Sequence, residues 1–286
     1  MSKNKNIYIS TTFAQDNTPV SEVLYFCKKN NINNIELGSN HCFEKNYYKI
    51  CKKYNLNFLV HNYFPIPKKN FIVNIASLDK KIRKKSISHV KKCIRFTKSI
   101  NSKLYTFHPG FIEDPLSSNK NSKNYDFVWS ESKKNTYQDV FEQMIISLKE
   151  ISLYAKKKKV NIAIETEGSF KKKDLLVMQK PREFIELFRH FKPEDLGINL
   201  NIGHLNLASK AFGFSKVNFI KLLKNYIVAF EISHNNGVED QHLPIKKNQW
   251  YLKILKKSYL KNTLKILEFR NATIKQIKKS INILNN

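Results

Sequence analysis

The chain has 286 residues, long enough to bury one full core and somewhat longer than the roughly 250 typical of an eight-stranded α/β barrel. Seven glycines and eight prolines leave no low-complexity linker, and no stretch approaches the ~20 apolar residues of a membrane span, which excludes linker-joined modules and a membrane-embedded class. Lys and Arg exceed Asp and Glu by 28, but the lysines are spread over almost every helical segment and the chain is equally rich in Asn and Ile, the pattern of A/T-rich codons. The charge therefore speaks to solubility and non-specific binding more than to a nucleic-acid partner.

In chain order, the start MSKNKNIYISTTF is basic but has no apolar segment of signal-peptide length, so a cytoplasmic protein is expected. Ile7–Thr11 reads as a strand and Val20–Lys29 as a helix. Asn34–Leu37 and Phe58–His61 read as strands, followed by helical patterns over Glu44–Tyr54 and Lys80–Lys98. After the strand Leu104–His108 comes a long loop, Pro109–Asn135, carrying Phe111, Tyr125, Phe127 and Trp129. Tyr137–Lys157 then places Val140, Met144, Ile145, Leu148 and Ile151 near a helical period, as for a helix laid on a sheet. Three more strand–helix pairs follow: Val160–Glu165 with Pro181–Phe191, Leu196–Asn201 with Ser215–Asn225, and Ile227–Ser233 with Gln249–Lys257. The last of these is separated by a second long loop, Asn235–Asn248, and the chain ends on the strand Leu264–Glu268 and the helix Ile274–Ile283. Eight strands alternating with eight helices predict one α/β domain over residues 1–286, a closed parallel (β/α)8 TIM barrel. Loops this long in a compact domain serve as lids or binding loops more often than as spacers. Cys27, Cys42, Cys51 and Cys93 show no CxxC spacing and are expected to be reduced thiols.

Six of the apolar runs end on a residue that carries chemistry. FLV precedes His61, LYTF His108, VNIAI Glu165, LGINL Asn201, IVAF Glu231 and LKIL Glu268. Carboxyl ends of parallel strands converge at one mouth of a barrel, where such folds build their sites. Two-residue alternation puts Glu165 with Ala163, Glu231 with Ala229 and Glu268 with Ile266, so all three acids can face inward together. Three carboxylates and an amide oxygen around one point repel one another unless a cation neutralises them. Glu165, Asn201, Glu231 and Glu268 are therefore expected to hold a divalent metal. Oxygen-rich ligation suits Mn²⁺ or Mg²⁺, and the nearby histidines keep Zn²⁺ or Co²⁺ open.

The segments HPGF at His108, AIETEG around Glu165, NIGHLNLAS from Asn201, HNNGVEDQHLP from His234 and ILEFR around Glu268 resemble the xylose isomerase-like barrel superfamily, from the first strand to the last. That group contains sugar and sugar-phosphate isomerases and epimerases and the endonuclease IV type of apurinic-site nuclease. In the isomerase branch one divalent metal is held by Glu, Asp, His and Glu from strands five to eight. The resemblance maps these onto Glu165, Asn201, Glu231 and Glu268, with Asn in place of Asp and Glu in place of His. The two departures offset one another in formal charge. An alternative register makes His234 the ligand; Glu231 lies deeper in its apolar run and is preferred. The resemblance implies an enzyme of carbohydrate metabolism in which Glu165 and Glu268 form an acid–base pair acting on a small-molecule carbohydrate through an enediolate. His61, His108, His204, His234, Asp240, His242 and Arg270 would bind the substrate, while His41, His89 and His190 are expected to be structural.

Two other readings remain. In the nuclease branch three metals are held by nine ligands, which His61, His108, Glu165, Asn201, His204, His234, Asp240, His242 and Glu268 resemble in order; the amide of Asn201 cannot bridge metals as that branch's Asp does. A binding barrel that has lost its metal is the third.

Overall fold

The computed structural model describes residues 6–119, 126–131 and 134–285. The expectations for the first five residues and for Tyr125 lie outside the described residues. Strands β1 (Ile7–Ser10), β2 (Asn34–Leu37), β3 (Asn57–His61) and β4 (Leu104–Phe107) form the first half of a barrel. A short antiparallel pair, β5 (Ser117–Asn119) and β6 (Asp126–Val128), sits in the long loop after β4. Strands β7 (Asn161–Glu165), β8 (Gly197–Asn201), β9 (Ile227–Ile232) and β10 (Leu264–Leu267) complete the barrel, which closes where β10 pairs in parallel with β1. The (β/α)8 expectation holds, and every barrel strand lies within one residue of its expected bounds.

The closed sheet has two cores. Outward-facing residues such as Ile9, Ile35, Val60, Phe107, Ile164 and Phe230 pack under the helices in one large cluster. Inside the barrel, Tyr8, Leu59, Leu104, Ala163, Ala229 and Ile266 form a small separate cluster. Two residues further along each of those strands stands a buried polar group: Ser10, His61, Thr106, Glu165, Glu231 and Glu268. The strand period of two thus stacks a polar layer directly on an apolar plug, at the carboxyl end of the strands.

Helices α1 (Val20–Lys29), α2 (Tyr47–Lys52), α3 (Lys80–Ser99), α4 (Tyr137–Lys158) and α5 (Pro181–Leu187) surround the first five barrel strands. The α2 helix starts later than Glu44 because Asn46, just before it, sits in the left-handed region at φ 63°, through which a right-handed helix cannot run; the Glu44 carboxylate accepts from the Ser21 backbone N–H at 3.0 Å and its hydroxyl at 2.5 Å. Two helices rather than one follow β8: α6 (Ile202–Phe212) and α7 (Lys216–Leu223). The first was not expected from the hydropathy pattern; Asn201 caps it. Helices α8 (Trp250–Leu255) and α9 (Ile274–Asn285) complete the ring.

In the long loop, the rings of Phe111, Phe127 and Trp129 pack edge to face, with centroids 5.0 to 5.8 Å apart. The loop is tied down where Ile112 donates its N–H to the Leu175 carbonyl at 2.9 Å. All four cysteines are free thiols, and among the described residues no helix is long and apolar enough to cross a membrane.

Candidate active site at the barrel mouth

His61, at the end of β3, and His108, one residue past β4, meet over Glu165 from β7. Each imidazole is fixed through one nitrogen: His61 Nδ1 lies 2.8 Å from the Thr106 hydroxyl and His108 Nδ1 lies 2.6 Å from Glu167 Oε1. The two Nε2 atoms then face Glu165 Oε2 at 3.6 and 3.4 Å. Glu165 Oε2 is buried and has no hydrogen-bond partner. Two imidazole nitrogens oriented by outer hydrogen bonds, with one orphaned carboxylate oxygen between them, form a group that could hold a metal ion. Burial pulls the His61 imidazole down to about 4. Burial acts on His108 in the same direction, but the charges of Glu165 and Glu167 lift it to about 9. For Glu165, burial opposes ionisation, yet His108 and His204 hold its carboxyl below the usual range.

Asn201 corrects one ligand expected from the sequence. Its side-chain oxygen accepts from the backbone N–H of Gly203 at 2.9 Å and of His204 at 3.1 Å, which caps α6. Only an oxygen can accept those two bonds, so the amide nitrogen must point the other way. It donates toward Glu165 Oε1 at 2.9 Å, Glu231 Oε2 at 3.1 Å and Glu268 Oε2 at 3.2 Å. The three acids do converge on one point, but an N–H₂ group stands there and not a metal-ligating oxygen. Glu231 is further engaged by the Asn199 amide nitrogen at 2.6 Å, and its carboxyl is pushed well up by burial and by the charges of Glu165 and Glu268.

A second group gathers on the far side of Glu268. His242 Nε2 lies 2.9 Å and His204 Nε2 3.7 Å from Asp240 Oδ2. The His204 Nδ1–H donates to the Thr166 carbonyl at 2.9 Å, and His242 Nδ1 lies 3.1 Å from Glu268 Oε2. These three residues also have metal-capable spacing. His242 sits in the left-handed region at φ 47°, a conformation that side chains other than glycine hold only under constraint. Arg270 is used to brace Asp240, with Nη2 3.4 Å from its carboxylate and Nη1 3.3 Å from its carbonyl. Gly168 lets α6 approach: a Cβ there would stand 1.9 Å from the His204 carbonyl oxygen.

Ten of the eleven site residues expected from the sequence therefore lie in one continuous cluster, and His234 does not join it. Its backbone pairs with Leu243, and the strand alternation that turns Glu231 inward turns position 234 outward, to a small cleft beside Ser233, Asn235 and Trp250. His41 and His89 are structural as expected, bonded to the Thr18 and Tyr63 carbonyls, and His190 is exposed. Four contributors escaped the sequence reading: Glu36, Thr106, Glu167 and Asn199. Glu167 follows Glu165 by two, and Asn199 precedes Asn201 by two, so face parity alone could have found both.

A family model described as xylose isomerase-like TIM barrel matches residues 31–286. The uncharacterized protein MJ1311 of Methanocaldococcus jannaschii is 23% identical over 236 residues, which covers 81% of this chain and 70% of that one. Among solved structures, a D-tagatose 3-epimerase-like protein superposes with a TM-score of 0.74 at 20% identity, covering 98% of this chain and 95% of its own. D-psicose 3-epimerase from Clostridium cellulolyticum H10, solved with D-tagatose, gives 0.67 at 10% identity, covering 97% and 89%. Such identities establish a shared fold. With a closed parallel barrel, a polar layer at its carboxyl end and a family match over nearly the whole length, the chain belongs to the xylose isomerase-like TIM barrel family.

Proposed function

We propose that this protein is a divalent-metal-dependent sugar or sugar-phosphate isomerase or epimerase that moves a proton through an enediolate. The observation that carries this reading is the convergence of Glu165 and Glu268 on a single amide nitrogen at the mouth, with imidazoles on both sides. Enediolate chemistry needs that arrangement: two carboxylates near one carbon, and donors for the oxygens that gain charge. His61, His108 and Glu165 would hold the ion, of the Mn, Mg, Co or Zn class, which when bound supplies Lewis-acid polarisation of a carbonyl.

The chain's own groups then divide the work. Glu268 keeps a little exposure, 8% against 1% for Glu165, and is the carboxylate that first meets a substrate C–H. Its carboxyl is held low by His242 against the opposing effect of burial, so it enters the reaction ionised. Glu268 can hand that proton to the neighbouring carbon, which completes an isomerisation; in an epimerisation Glu165 protonates the opposite face with a proton drawn from His204, 3.1 Å away, while Glu268, the more exposed acid, releases its own to solvent, from which His204 is recharged. His204 and His242 donate to substrate hydroxyls, and the Asn201 amide keeps the two carboxylates at a constant separation. The fold similarity to epimerases supports a ketose as substrate.

The test is exchange of substrate C–H for deuterium in D₂O, run with metal-loaded protein on a panel of ketoses and ketose phosphates. Exchange is expected on at least one, and E268Q is expected to lower kcat by roughly 10²- to 10⁴-fold. Absence of exchange on every member of the panel overturns the reading. A second reading, phosphodiester hydrolysis, is favoured by one observation: His204, Asp240 and His242 form a second metal-capable group beside the first. Cleavage of a duplex carrying an abasic site, in the same metal-loaded protein, would establish it in place of the first.

A further inference from the structure

On the flank of the barrel, α3 and α4 lie side by side and present one outer face. Nine of the twenty residues of α3 are Lys or Arg and none is acidic. Lys81, Lys84, Lys92, Arg95 and Lys98 recur at helical spacing on its exposed side, a cationic stripe on a helix of about 30 Å. At the seam between the two helices three cations gather on one aromatic ring. Arg95 Nη1 donates to the Tyr154 hydroxyl at 3.0 Å, and the ammonium groups of Lys91 and Lys158 stand 5.3 and 5.7 Å from its ring centroid. The acid that meets them is Glu150, which accepts from Lys91 at 2.6 Å.

The α4 helix adds a different chemistry. Ile146 and Leu153 are 61% and 63% exposed, the two most exposed aliphatic side chains on any helix among the described residues. They stand seven residues apart and share one side of the helix, flanked by the exposed Lys149, Lys156 and Lys157. Lysines are spread widely over this chain, so charge alone singles out no face. The union of an acid-free cationic helix with outward aliphatics does. A nucleic-acid backbone would meet the cations and leave Ile146 and Leu153 in water. A protein partner would have to bury an interface rich in lysine, the residue that interface cores exclude. An anionic bilayer satisfies both: its head groups meet the ammonium groups, the aliphatics enter the boundary of the acyl chains, and flexible lysine stems keep their charges at head-group level.

We propose that the α3–α4 face is a docking surface for an anionic lipid membrane, on which the protein rests peripherally. Docking on that flank leaves the barrel mouth uncovered and asks nothing of the reaction there.

Co-sedimentation of the full-length protein with vesicles at about 0.1 M salt tests it. Wild type is expected to bind vesicles of phosphatidylcholine mixed with phosphatidylserine, and not vesicles of phosphatidylcholine alone. K84E/K92E and I146S/L153S are each expected to weaken that binding by roughly tenfold or more. K275E/K279E changes the net charge by the same amount on two exposed lysines of α9, and is expected to stay within about twofold of wild type. All six substituted side chains are exposed, so folding does not limit the comparison. Absence of binding to the phosphatidylserine vesicles, equal weakening by K275E/K279E, or undiminished binding by I146S/L153S overturns the proposal. Binding of a DNA duplex that K84E/K92E weakens and I146S/L153S leaves unchanged, without vesicle binding, assigns the face to nucleic acid instead.

Discussion

Asn201 is the residue on which the site turns. Its two ends do different work: the oxygen caps α6 and the nitrogen binds three acids. Replacing it by Asp keeps the cap, because a carboxylate oxygen accepts the same two N–H bonds, but turns a donor among acceptors into a fourth negative charge. In metal-free protein N201D is expected to cost on the order of 3–5 kcal/mol, the scale of breaking a buried charge network. Mn²⁺ is expected to restore more stability to N201D than to wild type, because the new oxygen can ligate. Urea denaturation with and without Mn²⁺ measures both, and an unchanged midpoint in metal-free N201D would contradict the donor role assigned to the amide. The capping signal was legible in the sequence, since Asn before an apolar run is a helix start. It competed with the strand-end ligand pattern at the same residue, and only one of them could claim the oxygen.

At the level of elements, the junction of β7 with α6 aligns the two metal-capable groups. Thr166 and Gly168 lie between them: the Thr166 carbonyl accepts from His204 Nδ1, and the Thr166 hydroxyl accepts from the Asn201 backbone N–H at 2.9 Å. Gly168 needs no unusual backbone angle; it is there because α6 passes too close for a side chain. G168A forces α6 outward and is expected to destabilise the protein by about 1–3 kcal/mol, as overpacking does. It should also weaken the second ion that the phosphodiester reading would place at His204, Asp240 and His242, while leaving His61 and His108 in place. Thermal melts and metal titration report the two effects, and a G168A protein as stable as wild type would contradict the close approach. The α6 helix itself escaped the sequence reading because Gly203 and the mixed run after it blur the amphipathic period, whereas α3 and α4 are long enough for the period to stand out.

For the whole molecule, burial of neutral imidazoles away from the mouth sets an acid limit on stability. His89, packed against Tyr63 and Phe71, is drawn by burial from its ordinary 6.5 to about 4, and burial lowers His41 as well. Between those values the unfolded chain takes up a proton that the folded protein refuses, so stability is complete above about 6.5 and falls as pH drops toward 4. The His89 contribution lost by pH 4 is on the order of 3 kcal/mol. H89Q, whose amide can still donate to the Tyr63 carbonyl, is expected to show a shallower decline in urea midpoint between pH 6.5 and 4. Parallel declines in the two proteins would sink the assignment. Local strand and helix periods were enough to read the eightfold alternation and the lining of the mouth from the chain alone, because they put Glu165, Glu231 and Glu268 on inward faces wherever the strands end. Closure of β10 on β1 decided the rest: it brought Glu36 across the barrel to Glu231, turned the Asn201 nitrogen onto three acids, and left His234 outside. Those relations join residues far apart in the chain, and no local pattern carries the direction in which a side-chain atom will find its partner.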